Sequence, residues 1–505
     1  MFRAVTPKRS IVDYLSENAS RDPDRAAIHF RERTYSYREV EEAAARCRGA
    51  LAALGVRAGD RVALLMSDSP EMIFAFLGIV GSAAVAVPCN TLLPADGLAY
   101  VLKDSEARLV IATAEHMGSA KAAGAPQVVL GSELLEAAPA PMASFDRDTP
   151  CLVLYTSGST GQPKGAVHRH GHMPWTVESV ARKVYGLRPD DRLFSAPRLY
   201  FAYGLGNSLS IPLGSGASTI LVSERPTPAL IAEVFARYRP TVFFGVPTVF
   251  RMILEHVRQG NRIDTRSLRF SASAGEVLPI ATWNEWKALT GTEILETIGT
   301  TELLHAFIHN YPQRNRPGSS GEVLDGYECR LTDDLGKAVE GAGRGHLHVR
   351  GGSAIPYYLN KPEKTAETIR DGWVRTGDVY RRDADGFFWF EGRSDDLFKC
   401  SGMWVSPGEV EDAVAKHAAV LEAAVIAEAD ETGATIPAAY VMLRPGNSAS
   451  AALEKQIMDE AAKTLPRFKQ PKRIHFMDQL PRTPTGKVQR FKLRQLSSAQ
   501  RSKRS

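Results

Sequence analysis

Short apolar runs that alternate with helical stretches, up to about residue 390, place the strongest constraint on the fold of this chain. Residues 61–66 have the continuous apolar character of a buried strand, and residues 70–80 have the pattern of the helix that follows it. Residues 36–54 predict an earlier helix with one apolar side. Further short strands are predicted at 84–87, 109–112, 217–222 and 241–246. This alternation predicts an α/β fold built in layers around largely parallel sheets.

The pattern changes between residues 320 and 350, where short strands with glycines replace the helices. Residues 327–331 and 345–350 are the clearest of these strands, and they predict a small barrel or an antiparallel extension. A polar turn at 392–396 then follows an aromatic strand and predicts a domain boundary. The expected domains are residues 1–394, which are large, and residues 395–505, which form a smaller α+β domain.

The first helix of the smaller domain has a recognisable start. Ser406 is placed as the N-cap, Pro407 as the first helical residue, and Glu409 three residues on completes a capping box. The apolar side of this helix is then expected to consist of Val410, Ala413, Val414 and His417.

A loop rich in glycine and hydroxyl residues follows the apolar strand 151–155. Glycines let the backbone turn its N–H groups toward one point, hydroxyls add donors, and a lysine adds a positive charge, so the loop predicts a phosphate cradle. It is not the Walker loop, because Lys164 follows a proline and precedes Gly165 rather than Ser or Thr. The predicted phosphate-binding residues are Thr156, Ser157, Gly158, Ser159, Thr160, Gly161 and Lys164.

Composition sets the remaining bounds. The chain has 505 residues, of which 44% are hydrophobic and 24% charged, so two or more globular domains are expected. It contains no apolar run of 18 residues and no apolar signal core in its first residues, which predicts no membrane segment. The five scattered cysteines form no CxxC pair. A reduced, cytoplasmic protein without disulfides or structural zinc is therefore expected.

The basic charge is concentrated at the C-terminus. Residues 463–505 hold 13 Lys or Arg side chains and one acid, while the preceding 462 residues hold 49 basic and 56 acidic side chains. Such a tail suits an anionic partner, which could be a phosphate-rich small molecule, a nucleic acid or a membrane surface. A solvated charged face explains it equally well.

Six segments together resemble the adenylate-forming superfamily of acyl- and aryl-CoA synthetases, luciferases and peptide-synthetase adenylation domains. They are residues 156–165, 298–302, 373–378, 392–396, 401–409 and 481–487. The resemblance covers nearly the whole chain, and it implies a large N-terminal α/β domain followed by a mobile C-terminal domain. It also implies that ATP activates a carboxylic acid as an acyl-adenylate, with release of pyrophosphate. The thiol of coenzyme A then displaces AMP.

The same resemblance implies roles for individual residues. Lys487 is expected to supply the cation during adenylation, Glu302 to hold Mg²⁺ and Thr301 to bind the α-phosphate. Asp378 is expected to bind both ribose hydroxyls, and Arg393 the ribose or a phosphate. The adenine is expected to be bordered by Ser273, Ala274, Gly275, Glu276, Glu296, Thr297 and Ile298, and Gly299 and Thr300 are expected to be further ATP- or AMP-binding residues. Ile298 departs from the family, which usually has a stacking aromatic residue at this position.

The second half-reaction and the acid pocket have their own candidates. The resemblance implies a hinge at Asp395 and coenzyme A contacts at Lys399 and Gly402. Residues 198–207 and 298–308 look like the benzoate–CoA ligase branch, with flat walls that suit a planar ring. The expected pocket residues are Phe201, Ala202, Tyr203, Gly204 and His305.

Several alternatives remain at this stage. A ligase for medium-chain or alicyclic acids is the nearest, because apolar pockets discriminate poorly between hydrocarbons of similar bulk. Peptide-synthetase loading is disfavoured, since residues 198–207 contain no acid to meet an amino group. Luciferase-type oxidation and nucleic-acid binding by the tail are weaker alternatives. The alternating His168, His170 and His172 suggest either a metal site or solvent-exposed side chains, and exposure is preferred. No nucleic-acid or membrane partner is expected, and the chain is expected to be a monomer or a homodimer.

Overall fold

The computed structural model describes residues 10–143, 145–156, 162–482 and 488–502. In chain order its strands are β1 Ala26–Phe30, β2 Arg33–Ser36, β3 Arg61–Leu65, β4 Val85–Pro88, β5 Leu109–Ala112, β6 Val128–Leu130, β7 Pro150–Thr156, β8 Lys164–Arg169, β9 Arg192–Ser195, β10 Ser218–Leu221, β11 Val242–Gly245, β12 Phe270–Ser273, β13 Ile294–Gly299, β14 Ala306–His309, β15 Glu322–Val323, β16 Tyr327–Thr332, β17 Gly343–Gly351, β18 Ile369–Arg370, β19 Trp373–Arg382, β20 Phe388–Arg393, β21 Phe398–Cys400, β22 Met403–Val405, β23 Val420–Ala429, β24 Thr435–Leu443 and β25 Arg473–Phe476.

Most of the α-helices lie between these strands along the chain. They are α1 Ile11–Arg21, α2 Tyr37–Ala53, α3 Pro70–Gly81, α4 Ala95–Asp104, α5 Met117–Ala122, α6 His172–Thr176, α7 Ala202–Leu205, α8 Ile211–Ser215, α9 Pro228–Tyr238, α10 Pro247–Arg258, α11 Ile280–Thr290, α12 Pro362–Thr368, α13 Pro407–Val414, α14 Ala451–Ala462 and α15 Arg490–Ser502. Within the described ranges, none of these helices combines the length and the apolarity that crossing a membrane requires.

The chain divides into two compact units. The first contains Met1–Cys329 and His348–Arg375, and the second contains Arg330–Leu347 and Thr376–Ser505. Two large sheets belong to the first unit. One has nine strands in the order β15-β14-β13-β12-β11-β9-β10-β1-β2, and the other has six in the order β6-β5-β3-β4-β7-β8. The pairs from β13 through β12, β11, β9 and β10 to β1 are all parallel, as the alternating pattern predicts.

Local sequence signals explain why the helices of the first unit begin where they do. The Ser36 side chain accepts a hydrogen bond from Glu39 N while the Glu39 side chain caps Ser36 N, which is a complete capping box at the start of α2. The Ser69 side chain caps α3 by accepting a hydrogen bond from Met72 N, and Pro70 occupies the first helical position. Every residue of α3 except Glu71 is buried, so this helix lies within the core.

The second unit packs two helices against an antiparallel pair of strands. Strands β23 and β24 pair antiparallel, β25 joins them in parallel, and α13 and α14 contribute Val410, Val414 and Ile457 to the core beneath. The region between residues 320 and 393 forms a five-stranded sheet of β16, β17, β19, β18 and β20. Together with the parallel sheets, this arrangement confirms the predicted α/β fold with an additional small sheet and a smaller α+β unit.

Two predictions about α13 are wrong. Ser406 does occupy the N-cap position, but its side chain makes no capping hydrogen bond. Glu409 forms an ion pair with Lys469 instead of closing the box. The helix also ends at Val414, so His417 lies beyond it, and its Nδ1 accepts a hydrogen bond from Ala419 N at 3.2 Å. The ion pair with Lys469, 60 residues along the chain, therefore competes with the helix terminus for the Glu409 side chain.

Candidate active site

The ends of neighbouring parallel strands bring the predicted adenine-binding segments together. Ser273, the last residue of β12, is paired with Glu296 of β13, so the loops that follow both strands leave the same edge of the nine-stranded sheet. The hydroxyls of Ser273 and Thr300 are buried and have no hydrogen-bond partner among the described residues. Gly275 has a φ of 91°, which a residue with a side chain rarely adopts. Buried donors without partners at a strand edge suit a polar ligand such as a nucleotide.

The turn that carries Thr301 and Glu302 is held from another strand. Residues Thr301–Leu303 form a single 3₁₀ turn after β13. His168, on β8, donates from Nε2 to the Thr301 carbonyl oxygen, 2.8 Å away. Its other nitrogen lies 3.0 Å from Nδ1 of His172. Because a carbonyl can only accept, His168 carries its proton on Nε2, and its Nδ1 accepts from His172.

The expectation that the three alternating histidines are exposed is wrong. His168, His170 and His172 are all buried. Burial lowers the pKa of His168 and of His170 to about 4 each, and it also lowers the pKa of His172 well below its ordinary value. The described residues contain no group of three or more His, Cys, Asp or Glu side chains that could hold a metal ion. These imidazoles are neutral packing and hydrogen-bonding groups.

Lys164 and Glu302 meet at one tyrosine. The Tyr358 hydroxyl donates to Glu302 Oε1 at 2.5 Å, and Lys164 Nζ lies 3.4 Å from the same hydroxyl. The lysine ammonium is also 4.4 Å from the centre of the Tyr358 ring. No sequence motif pointed to Tyr358, although it lies between two predicted segments.

The predicted acid pocket contains buried polar side chains, those of Tyr203, Asn207 and His305. The rings of Tyr203 and His305 lie 5.4 Å apart, and His305 Nε2 is 3.1 Å from Asn207 Oδ1. Tyr203 Oη, Asn207 Nδ2 and His305 Nδ1 are buried, and each lacks a hydrogen-bond partner in the described part of the chain. Burial raises the pKa of the Tyr203 hydroxyl. Sequence reasoning missed Asn207, although it follows Tyr203 by one helical turn.

Glycines allow the close packing around His305. A β-carbon at Gly206 would lie 2.2 Å from His305 Cδ2, and one at Gly299 would lie 2.4 Å from the His305 carbonyl oxygen. The β-carbon position of Gly204 is likewise filled by the Arg198 carbonyl oxygen, at 1.9 Å. Phe201 and Ala202 are half-buried beside these residues. The histidine is therefore held on two sides by positions that tolerate no side chain.

The second unit brings two predicted nucleotide-binding residues together. Asp378 on β19 is paired with Arg393 on β20, and Arg393 Nη1 donates to Asp378 Oδ1 at 2.8 Å. The same nitrogen donates to the Thr376 carbonyl oxygen at 3.1 Å, while Thr376 Oγ1 accepts from Asp378 N. This guanidinium fixes a buried carboxylate, which is the group expected to accept the hydrogen bonds of a ribose.

The remaining candidates lie in turns. Asp395 is exposed in the turn between β20 and β21. Lys399 lies opposite Trp404 in the β21–β22 hairpin, with its ammonium 4.8 Å from the indole, and Gly402 forms the tip of that hairpin with a φ of 79°. Lys487 and the loop residues Ser157, Gly158, Ser159, Thr160 and Gly161 lie outside the described residues.

Several basic residues of the tail form ion pairs within their own unit. Arg490 pairs with Glu411 and Asp396, and Arg494 also contacts Asp396. Arg473 and Arg482 form ion pairs with Glu428 and Glu422 respectively. Ion pairs with acids of the second unit thus account for part of the charge that suggested an anionic macromolecule, and they weaken the nucleic-acid alternative.

Comparison with known proteins decides the family. The family model described as AMP-binding enzyme matches residues 15–359, and that of the AMP-binding enzyme C-terminal domain matches residues 409–487. This chain belongs to the AMP-binding enzyme family. The benzoate–CoA ligase of Thauera aromatica is 41% identical over 483 residues, which cover 91% of this chain and 90% of that protein.

Two solved structures are similar to this chain along nearly its whole length. An anthranilate–CoA ligase in complex with anthranoyl-AMP has a TM-score of 0.92 and 35% identity, and the match covers 99% of each chain. A benzoate–CoA ligase from Burkholderia xenovorans LB400 has a TM-score of 0.89 and 38% identity, covering 96% of this chain and 99% of that structure. The predicted resemblance to adenylate-forming enzymes is confirmed.

Proposed function

We propose that this protein is an AMP-forming aryl acid–CoA ligase. It converts a benzoate-like acid and ATP to an acyl-adenylate and pyrophosphate, and then transfers the acyl group to coenzyme A with release of AMP. The observation that carries this proposal is the full-length similarity to a benzoate–CoA ligase, 41% identical over 91% of the chain. The arrangement of the candidate site supports it.

The first half-reaction needs positive charge at the phosphates, because negative charge shifts onto the leaving pyrophosphate. We assign this role to Lys487 and to Lys164 at the end of the phosphate loop. Glu302 suits Mg²⁺, since a carboxylate is a hard ligand and Mg²⁺ is commonly held by one or two carboxylates together with substrate phosphates. The metal, when bound, would neutralise phosphate charge. Thr301 is assigned to the α-phosphate.

The nucleotide is assigned to two sets of residues. The hydroxyls of Ser273 and Thr300, buried without partners, support adenine or phosphate binding at the edge of the nine-stranded sheet. The Asp378 carboxylate, held by Arg393, is assigned to the ribose hydroxyls. The described loop residue Thr156 and its neighbours at 157–161 are assigned to the phosphates.

The acid is assigned to the pocket of Phe201, Ala202, Tyr203, Gly204 and His305. A planar ring fits beside the flat faces of Tyr203 and His305, which lie 5.4 Å apart at an angle of 39°. The alternative of a medium-chain or alicyclic acid is not favoured, because the similar ligases named above act on benzoate and anthranilate.

The acyl group is proposed to be transferred to coenzyme A after the residues that follow the hinge have moved to a second arrangement. Asp395 is proposed as that hinge, and Lys399 and Gly402 as contacts of coenzyme A. A cytoplasmic location is supported by five cysteines that are all free.

A substrate screen tests the proposal. Pyrophosphate release and CoA thioester formation are measured with benzoate, hydroxy-, amino- and halobenzoates, cyclohexanecarboxylate and straight-chain acids. We expect the highest kcat/KM with an aromatic acid, and thioester formation that requires both ATP and coenzyme A. A best rate with octanoate, or pyrophosphate release without thioester from any acid, would overturn it.

A further inference from the structure

One segment of the first unit contacts both charged residues expected at the phosphates. Residues 353–359, which we term the strap, pair with β8 just after Lys164. Leu359 N donates to the Gly165 carbonyl oxygen at 2.8 Å, and an antiparallel bridge joins Ala166 to Tyr358. At its other end, Ile355 N donates to the Glu302 carbonyl oxygen at 2.9 Å. The strap therefore connects the end of the phosphate loop to the turn that carries the expected metal ligand.

Tyr358 is the residue of the strap that reaches both side chains. Its single hydroxyl proton is directed to Glu302 Oε1, 2.5 Å away. The Lys164 ammonium, at 3.4 Å, can therefore only donate to the same oxygen, and it also faces the ring. The ring packs with Ala166 and Ile355 and is buried. One rigid side chain thus fixes the positions of a carboxylate and an ammonium group.

We propose that Tyr358 is a positioning residue for Mg²⁺-bound ATP, acting through the Glu302 carboxylate. This inference rests on the proposed function only in taking Glu302 as the metal ligand. A hydrogen bond to a charged group holds that group more firmly than one between neutral groups. With Oε1 engaged by the tyrosine, the carboxylate has one fixed orientation and a second oxygen outside this bond. Without the hydroxyl, Glu302 can rotate and approach Lys164, which would remove both charges from their positions.

Nucleotide binding, measured without the acid or coenzyme A, tests the role of the hydroxyl. Tyr358→Phe keeps the buried ring and removes the bond to Glu302. Its neighbour Tyr357 is 40% exposed, so Tyr357→Phe is the matched control. Calorimetric titrations use ATP with saturating Mg²⁺ and ATP with EDTA. We expect Tyr358→Phe to weaken binding of Mg²⁺-bound ATP about tenfold or more, the usual worth of a hydrogen bond to a charge. Metal-free ATP should be affected much less, and the control should match the unaltered protein.

A double-mutant cycle tests whether the effect passes through Glu302. In a Glu302→Gln background, Tyr358→Phe should cause no further loss of affinity for Mg²⁺-bound ATP. The proposal is overturned by wild-type affinity in Tyr358→Phe. It is also overturned by an equal loss with and without Mg²⁺, or by an undiminished loss in the Gln background. Thermal unfolding midpoints check that the variants fold. These titrations do not depend on which acid is activated, so a failed substrate screen leaves their outcome interpretable.

Discussion

His305 and Asn207 form a pair whose two outer atoms always have opposite hydrogen-bonding roles. If His305 Nε2–H donates to Asn207 Oδ1, then His305 Nδ1 is left as an acceptor and Asn207 Nδ2 as a donor. If the amide is turned over, the roles of both atoms reverse together. Burial lowers the pKa of His305 to about 3, so the ring stays neutral in either case. A ring substituent that can both donate and accept matches this pair.

Removing the histidine should relax the choice of acid. His305→Ala opens space at the far edge of the pocket and removes the imidazole from the His305–Asn207 pair. We expect kcat/KM values for para-substituted benzoates to become more similar to one another, while the affinity for ATP is retained. A panel of para-hydroxy, para-amino and para-chloro acids measures this. An unchanged rank order together with unchanged ratios would place His305 outside the acid pocket.

Enlarging the neighbouring wall should have the opposite effect. Ala202→Leu adds bulk in a packed slot, which costs roughly 1–3 kcal/mol, or about 10- to 200-fold in kcat/KM. We expect substituted benzoates to be excluded more strongly than benzoate, with ATP binding unchanged. Steady-state kinetics on the same panel checks the direction. Equal losses for all acids, substituted or not, would contradict a slot at this position.

Lys487 should matter for only one half-reaction. Lys487→Ala removes the cation assigned to the reacting oxygens, and we expect adenylation to slow roughly 100- to 1,000-fold. Thioester formation from a supplied acyl-adenylate should change much less. Lys492→Ala, which alters an exposed lysine of the same segment, is the control. The assignment fails if both half-reactions slow by the same factor.

The turn at Asp395 should be needed for the second half-reaction. Asp395→Pro fixes φ and restricts rotation there, while Asp395→Ala removes the same carboxylate without that restriction. We expect the proline variant to release pyrophosphate but to form little acyl-CoA, and the alanine variant to do both. Wild-type rates for the proline variant in both assays would remove the hinge from this position.

Buried histidines should make the protein less stable in mild acid. His170 stacks on Phe145 and contacts Ser10, and its pKa falls from 6.5 to about 4 on folding because of burial. As the pH falls, the unfolded chain therefore binds a proton at His170 before the folded protein does. This titration leaves the free energy of unfolding unchanged above pH 6.5 and lowers it as the pH falls from 6.5 toward 4. At pH 5 the loss is about 2 kcal/mol.

Replacing His170 separates its contribution to the pH dependence of the unfolding free energy from the contributions of other groups. We expect the unfolding free energy of His170→Gln to fall about 2 kcal/mol less between pH 7.5 and pH 5 than that of the unaltered protein. Burial raises the pKa of Asp68 to about 6, which opposes the trend, but this contribution cancels in the comparison. Urea denaturation at the two pH values gives the difference. Parallel losses in both proteins would show that His170 does not titrate as described.

Sequence patterns located the fold and the local motifs but not the contacts between distant segments. The strand β3 and the helix α3 lie within one or two residues of their predicted bounds, because their hydrophobic patterns are local. Tyr358 had no such signal, since its partner Lys164 lies 194 residues away. Asn207 was missed because its partner lies 98 residues away. Glu409 was misassigned because Lys469, 60 residues on, competes with the helix terminus.

The three histidines after the phosphate loop show the same limit. Their alternation favours exposure, but only His168 lies in β8; His170 follows the strand, and His172 begins α6. His168 is buried in contact with Thr301, 133 residues later, and His170 is buried in contact with Ser10, 160 residues earlier. Whether these histidines face water depends on distant segments that the local sequence pattern does not contain.

The strap also constrains the order in which this protein can mature. Tyr358 follows Lys164 by 194 residues and Glu302 by 56, so during synthesis both charged residues leave the ribosome well before the tyrosine that joins them. Contacts of such long range form late, because the intervening chain must first be brought together. A nascent chain that ends before the strap would hold much of the parallel sheet but could not yet fix the proposed phosphate site. Completion of the site therefore follows folding of the scaffold during translation.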